Sequence, residues 1–364
     1  MMEPKKNIKK LFRTQPFSAD RIGKIRLDRN ECTVPFPEKH FKKIWSEMDP
    51  EEIVAYPELE PFYEKLSGWL KVDRDQVLVV SGSDTGIRTV YEVYIGEGDE
   101  VVMLSPTYAM YPVYCEMFGG TKREVKYDED FTLSVEKILD AINDKTRLVA
   151  IANPNNTGTS FTESEIVRVI EAAEDAGALV LIDEAYYHFY ESTMLSHIGR
   201  FENLVVVRTF SKAFGIASLR VGYMVSNKDI ISDLNKVKLT HEITGVSAKF
   251  GEYLLEHLEI MEEYVSDVRL GIEYLAKEFG QMGIFTPKTC TNFIFAKLPE
   301  GVDGERVVKL LQEKKFYING PFQDAPMKGC IRVTAGPVEQ MRGFLSVFKE
   351  VYAGVRERKV TEKR

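Results

Sequence analysis

The sequence predicts an α/β protein: a mostly parallel sheet covered on both faces by helices, followed by a smaller α+β unit. Two observations carry that prediction. From about residue 75, six short apolar runs rich in Val, Ile and Leu alternate with helix-length segments. Buried parallel strands read in this way, as continuous apolar runs without polar alternation. Beyond Val246 the pattern changes to long helical periodicity interleaved with short strands, which suits a separate α+β layer.

The runs are, in order, "QVLVV", "DEVVML", "RLVAIANP", "ALVLIDEAY", "NLVVVRTF" and "LRVGYMVS". Between them, segments such as Glu163 to Ala176 have the length and pattern of helices. Phe250, Leu254, Leu258, Met261, Val265, Val268, Ile272, Leu275 and Phe279 recur at spacings of three and four, which predicts one long amphipathic helix whose stripe is core. Then "CTNFIFAKL", a helix from about Gly304 to Lys314, "KFYING", "CIRVTAG" and a last helix from Val338 complete the pattern. No repeat or low-complexity linker marks a boundary. The division assigned is 1–40 as an N-terminal arm with part of the small domain, 41–250 as the large domain and 251–364 as the small one.

At 364 residues and 44% hydrophobic content, the chain can fill two or three cores. Its 48 basic and 56 acidic side chains leave a formal charge of −8, which gives a nucleic-acid partner no electrostatic support. No window approaches the ~20 apolar residues of a membrane span, and the N-terminus lacks the apolar core of a secretory signal, so the expected location is the cytoplasm. Cys32, Cys115, Cys290 and Cys330 form no CxxC pair and the five histidines show no HxxxH spacing, so no metal site is expected. "KKNIKKLFR", Lys5 to Arg13, reads as a basic solvated arm, and "RERKVTEKR" as a frayed end.

Parallel sheets bind ligands at the carboxyl ends of their strands, so the polar residues that follow each apolar run carry the functional reading. "VLVVSGSDTG" passes from a strand through Gly82, Ser83 and Asp84 into a helix, whose first N–H groups and dipole can hold a phosphate or simply be capped. "RLVAIANPNNTGT" ends in Asn153, Pro154, Asn155, Asn156 and Gly158. "ALVLIDEAY" ends in Asp183 with Tyr186 three residues on; a carboxylate at the end of a buried strand calls for a cationic partner, although it also suits a turn cap. The last strand end, "TFSKAFGIASLRVGY", sets Lys212 among hydroxyls and apolar residues, with Arg220 eight positions later. A surface lysine usually has charged neighbours, so this one reads as kept for chemistry.

Together, in this order, these segments resemble the fold-type-I pyridoxal 5'-phosphate (PLP) enzymes, and within them the class I and II aminotransferases, most closely the histidinol-phosphate aminotransferase group. The resemblance runs from "LDRNECTVPFP" to "CIRVTAG". It implies a large domain with a mostly parallel seven-stranded sheet and a smaller α+β domain. It implies that Lys212 attaches the cofactor and moves the substrate's proton, and that Asp183 pairs with the protonated ring nitrogen. Asn156 and Tyr186 would bond the ring's phenolate oxygen, and Tyr108 would stack on its face. Ser83 and Asp84 with their backbone and side chains, Thr209, Ser211 and Arg220 would hold the phosphate. Tyr56 would reach the phosphate of a neighbouring subunit's cofactor, implying a homodimer with shared active sites. Arg332 would bind the substrate's carboxylate or phosphate, and Asn30 with Glu31 would belong to the segment that closes over it.

Two departures stand out. The family's N-N-P-T-G is "NNTG" here, Asn155 to Gly158, which reads as a shortened turn with Asn156 still the ring contact. In "KKFYINGPF", Asn319 and Gly320 stand where close relatives tend to carry an arginine, so the reaction is more firmly matched than the substrate. The expected activity is amino transfer between a donor such as glutamate and an oxo or phosphorylated carbonyl acceptor. The alternative is a PLP-dependent amino-acid phosphate decarboxylase, which shares the Lys212, Asp183 and Arg220 pattern. A non-catalytic PLP-binding regulator would carry an added nucleic-acid-binding module or lack the lysine, and a nicotinamide dehydrogenase would show GxGxxG after its first strand.

Overall fold

The computed structural model describes residues 2–12, 21–190 and 192–362. Arg13 of the basic arm, the last two residues of the tail and the tail's side chains from residue 357 on lie outside that description. Eleven strands are present among the described residues: β1 Ile25–Leu27, β2 Val77–Val80, β3 Glu100–Ser105, β4 Thr121–Lys126, β5 Thr146–Ala152, β6 Leu179–Asp183, β7 Leu204–Thr209, β8 Gly222–Val225, β9 Phe293–Lys297, β10 Phe316–Ile318 and β11 Cys330–Thr334.

Seven of them form the large sheet in the order β2, β8, β7, β6, β5, β3, β4. Strand β8 runs antiparallel to β2 and β7, and the other neighbours are parallel. Alternate residues serve opposite faces: Val77 and Val79 join one apolar core, Leu78 and Val80 the other. This two-sided burial is why the central strands read as unbroken apolar runs. Strand β4 escapes the sequence reading because it is "TKREVK", with Val125 its only buried residue. It is an edge strand, and charges there guard an otherwise unpaired row of backbone groups.

The predicted single helix after Val246 is two, Gly245–Glu256 and Leu258–Gln281, separated at His257 with φ −129° and ψ 58°. The apolar stripe continues across the break because both helices bury the same spacing, with Phe250, Leu254, Met261, Val265, Val268, Leu275 and Phe279 all buried. They pack on different parts of the molecule. The first lies on the helix Glu60–Leu70, where Gly251 lets the Phe62 ring approach to within 2.7 Å of where a Cβ would stand. The second packs on the C-terminal helix Val338–Glu362.

The smaller unit contains two short ladders. Strand β1, unread in the sequence, pairs in parallel with β10, and β9 pairs antiparallel with β11. A two-bond bridge between Asn319 and Arg332 links them, at 3.1 and 2.8 Å. The N-terminal segment is therefore stitched into a layer built mainly from residues about 300 positions later.

Candidate active site

Strands β2, β3, β5, β6 and β7 end at one rim of the large sheet, and their following residues surround a cavity of about 440 Å³. The opposite wall comes from Arg29 and Asn30 after β1, Asn319 after β10, and Arg332 on β11.

Asp183 closes β6 and is buried, its Oδ1 accepting the Ala185 N–H at 3.0 Å and its Oδ2 the Tyr111 hydroxyl at 3.3 Å. Burial pushes its carboxyl up to about 6, against the opposing pull of those two hydrogen bonds and the Lys212 charge. Lys212, past the end of β7, has its amine 5.6 Å from the Tyr186 ring centre. Burial and then the Arg332 cation lower its pKa, the Asp183 carboxylate opposes both, and the net result is about 8. A half-buried amine and a buried carboxylate thus face the same space, each pushed toward its neutral form.

Tyr186 connects the two walls. Its hydroxyl donates to Asn156 Oδ1 at 3.1 Å and accepts from Asn30 Nδ2 at 2.8 Å, and burial pushes it up to about 12. The shortened turn closes with the Gly158 N–H donating to the Asn155 carbonyl at 2.9 Å, Gly158 at φ +88°. It turns the two asparagines apart: Asn155 donates inward to the Pro106 carbonyl and the Tyr127 hydroxyl, while Asn156 lines the cavity.

The helix Gly82–Tyr94 starts at the cavity beside the loop carrying Arg220. The approach is close: a Cβ on Gly222 would lie 2.5 Å from the Gly82 carbonyl carbon, and one on Gly82 would lie 2.4 Å from Arg220 Nη2. Gly82 at φ +75° and Arg220 at φ +54° both sit in the left-handed region, and only a glycine fits the first. Arg220 Nη1 donates to Ser211 Oγ at 3.3 Å and the Ala217 carbonyl at 2.9 Å, and Thr209 donates to Ser211 at 2.9 Å. Free helix N–H groups, two hydroxyls and a guanidinium therefore converge on one point, which is the chemistry of an oxyanion cradle.

Asp84 differs from the expectation of its side chain at that cradle. Its carboxylate accepts the hydroxyls of Tyr108 at 3.1 Å and Tyr114 at 2.9 Å, so it anchors the Tyr108 ring; only its backbone N–H suits an anion, which its carboxylate would repel. Arg332 donates from Nη2 to the Asp28 carbonyl at 3.1 Å, and its buried Nε has no partner among the described residues. Glu31 does not line the cavity and accepts from Arg21 at 2.7 Å. Tyr56 also lies outside the cavity of its own chain, 77% exposed and stacked on His241 at 4.4 Å. The residues that sequence reasoning missed are Arg29, Tyr111 and Tyr114. The two tyrosines repeat at three-residue spacing after Tyr108 in "TYAMYPVY", a signal available to helical reading.

Residues 23–348 match the family described as aminotransferase class I and II. The histidinol-phosphate aminotransferase of Caldanaerobacter subterraneus subsp. tengcongensis is 32% identical over 333 residues, covering 90% of this chain and 93% of that protein. That of Pyrococcus furiosus is 31% identical over 330 residues, covering 90% and 92%. Among solved structures, the histidinol-phosphate aminotransferase from Sinorhizobium meliloti in complex with pyridoxal-5'-phosphate shares the fold with a TM-score of 0.87 at 20% identity, over 97% of this chain and 98% of that one. The aspartate aminotransferase from Thermus thermophilus with maleate does so with a TM-score of 0.81 at 19% identity, over 96% and 100%.

Proposed function

The chain belongs to the class I and II aminotransferases, and from that premise we propose that the cavity is the site where PLP-dependent amino transfer occurs. We take a donor such as glutamate and an oxo or phosphorylated carbonyl acceptor; the name of its histidinol-phosphate aminotransferase relatives supports a phosphorylated partner. The observation that carries the reading is Lys212, a half-buried lysine whose amine is lowered to about 8, sharing the cavity with the buried carboxylate of Asp183.

The residues fit the cofactor. The Gly82 and Gly222 approach leaves an anion cradle with Ser83 and Asp84 N–H groups, Thr209, Ser211 and Arg220 for its phosphate. Tyr108, held by Asp84, would cover a face of its ring, and Asn156 and Tyr186, which line the same cavity, would offer polar groups to its oxygen. When bound, PLP supplies an electron-accepting ring and a carbonyl carbon that takes up and releases the amino group. Lys212 Nζ, with its lowered proton affinity, would hold the cofactor through that carbon and would take and return the proton at the substrate's Cα. Asp183 would accept a hydrogen bond from the protonated ring nitrogen, a cationic contact that would make its own ionised form less costly. Arg332 binds the substrate's acidic group from the far wall, and Asn30 ties that wall to Tyr186.

The homodimer is part of this proposal. Ile53, Val54, Tyr56 and Leu239 are 58%, 83%, 77% and 71% exposed, and the Tyr56 to His241 stack brings their two segments together. An apolar patch of this kind suits a subunit interface, with Tyr56 reaching the partner's cavity. We also place the domain divisions near residues 40 and 250, supported by the separate sheets, and the protein in the cytoplasm.

The test is to mix PLP-loaded protein with glutamate and record the absorption spectrum. A shift to the pyridoxamine form, reversed by 2-oxoglutarate, supports transfer. No shift with glutamate or any other amine, together with release of carbon dioxide from a phosphorylated amino acid, would replace it with decarboxylation.

A further inference from the structure

Four cationic side chains line the cavity among the described residues: Arg29, Lys212, Arg220 and Arg332. Three have tasks in the reading above. Lys212 faces Asp183, Arg220 is engaged at the helix start, and Arg332 is anchored on the Asp28 carbonyl. Arg29 has none. Its side chain is 44% exposed, and the carboxylate nearest it, Asp28 Oδ2, is 3.8 Å from its Nε. That carboxylate is already hydrogen-bonded by Arg21, so it neutralises Arg29 weakly.

The backbone that carries Arg29 is rigidly mounted. Asn30, the next residue, is buried with φ 55°, a conformation that L-residues adopt at a cost. Four hydrogen bonds hold it: its N–H to Thr334 Oγ1 at 3.1 Å, its amide N–H to the Tyr186 hydroxyl at 2.8 Å, its carbonyl from Asn292 Nδ2 at 3.1 Å, and its Oδ1 from the Thr334 hydroxyl at 3.4 Å. Arg29 is thereby held at the cavity wall and is not left on a free strand end.

On the same wall, Asn319 and Arg332 are paired directly opposite each other in a two-bond antiparallel bridge, which sends both side chains to one face. Position 319 is where a second guanidinium beside Arg332 would stand, and here it is a neutral amide. The second fork of this wall can come only from Arg29 among the lining residues.

We propose that Arg29 is a specificity-determining residue that, with Arg332, selects substrates carrying two negative charges, either a second carboxylate or a phosphate monoester. This rests on the aminotransferase reading. Guanidinium forks bind both oxyanions in the same bidentate way, so the structure defines their shared chemistry and the experiment separates the two sources.

The test uses the PLP-loaded full chain and two pairs of amines: glutamate against glutamine, and histidinol phosphate against histidinol. Each half-reaction is followed by the cofactor spectrum, in wild type, Arg29→Ala, Arg29→Gln and Arg29→Lys. In Arg29→Ala and Arg29→Gln, kcat/KM for the doubly charged member falls ~10- to 100-fold, through KM, as for loss of one charged hydrogen-bond partner. The reactions of glutamine and histidinol, which lack the second negative charge, stay within about twofold, the cofactor spectrum is unchanged, and Arg29→Lys retains part of the preference. The pair whose preference collapses identifies the source of the second charge. Unaltered preferences in both pairs would overturn the proposal alone. Absence of transfer from every amine in the wild-type protein would overturn the aminotransferase reading and the proposal with it.

Discussion

The two walls of the cavity are built by different means. The rim of the large sheet is local in sequence: each strand delivers its own polar residues within a few positions of its last apolar one, as β6 delivers Asp183 and Tyr186 and β7 delivers Thr209, Ser211 and Lys212. The opposite wall is assembled across the chain. Asn30 meets Thr334, and Asp28 meets Arg332, over separations of 304 residues. One wall is set by strand geometry and cofactor chemistry, the other by contacts between distant segments. Substitutions on the first should therefore abolish chemistry, and substitutions on the second should change which substrate is accepted and how well.

The largest expected effect is on the first wall. Lys212→Ala should lower turnover by more than about 10⁴-fold, the upper range for a proton-transfer group, with the fold intact by circular dichroism. Near-normal activity would break the comparison at its foundation. Next, Asp183→Asn should cost about 10³-fold in kcat, in line with loss of a preorganised electrostatic contact. The same change should raise the melting temperature of the cofactor-free protein above pH 6, because a carboxyl held at about 6 by burial destabilises the fold once it ionises. A rate that hardly changed would move the ring-nitrogen contact elsewhere.

On the second wall, Arg332→Ala should raise substrate KM by about 100-fold, the scale of a lost charged contact, with kcat and cofactor content little altered. Loss of the cofactor would mean that this arginine belongs to the first wall. A smaller effect returns to Lys212. With its amine at about 8, capture of PLP by stripped protein should rise roughly tenfold from pH 7 to its plateau, as the neutral form fills. A capture midpoint near the ordinary lysine value would show that burial does not poise this amine.

The same contrast explains what could be read without coordinates. Lys212, Asp183, Asn156 and Tyr186 were legible because strand ends announce themselves through apolar runs. Strand β4 was not, because its charged edge position removes the run, and the break at His257 was not, because the stripe keeps its period through it. Arg29 was invisible for a third reason. Nothing in "LDRNECT" signals that a residue 304 positions on will pin Asn30 in the left-handed region and aim its neighbour at the cavity.

Thr334 makes that last point testable. Its hydroxyl is fully buried, accepts the Asn30 N–H at 3.1 Å and donates to Asn30 Oδ1 at 3.4 Å. Thr334→Val keeps the shape and removes the acceptor, which leaves a buried N–H unsatisfied at a cost of about 1–3 kcal/mol. Part of that cost should appear as lower stability in denaturant. The rest should be functional: with Asn30 less firmly held, Arg29 and the Tyr186 contact lose their mount, and KM should rise severalfold while the absorbance of the bound cofactor stays constant. A stability loss with KM unchanged would show that the second wall holds its geometry without this bond, and that the 304-residue contact serves folding alone.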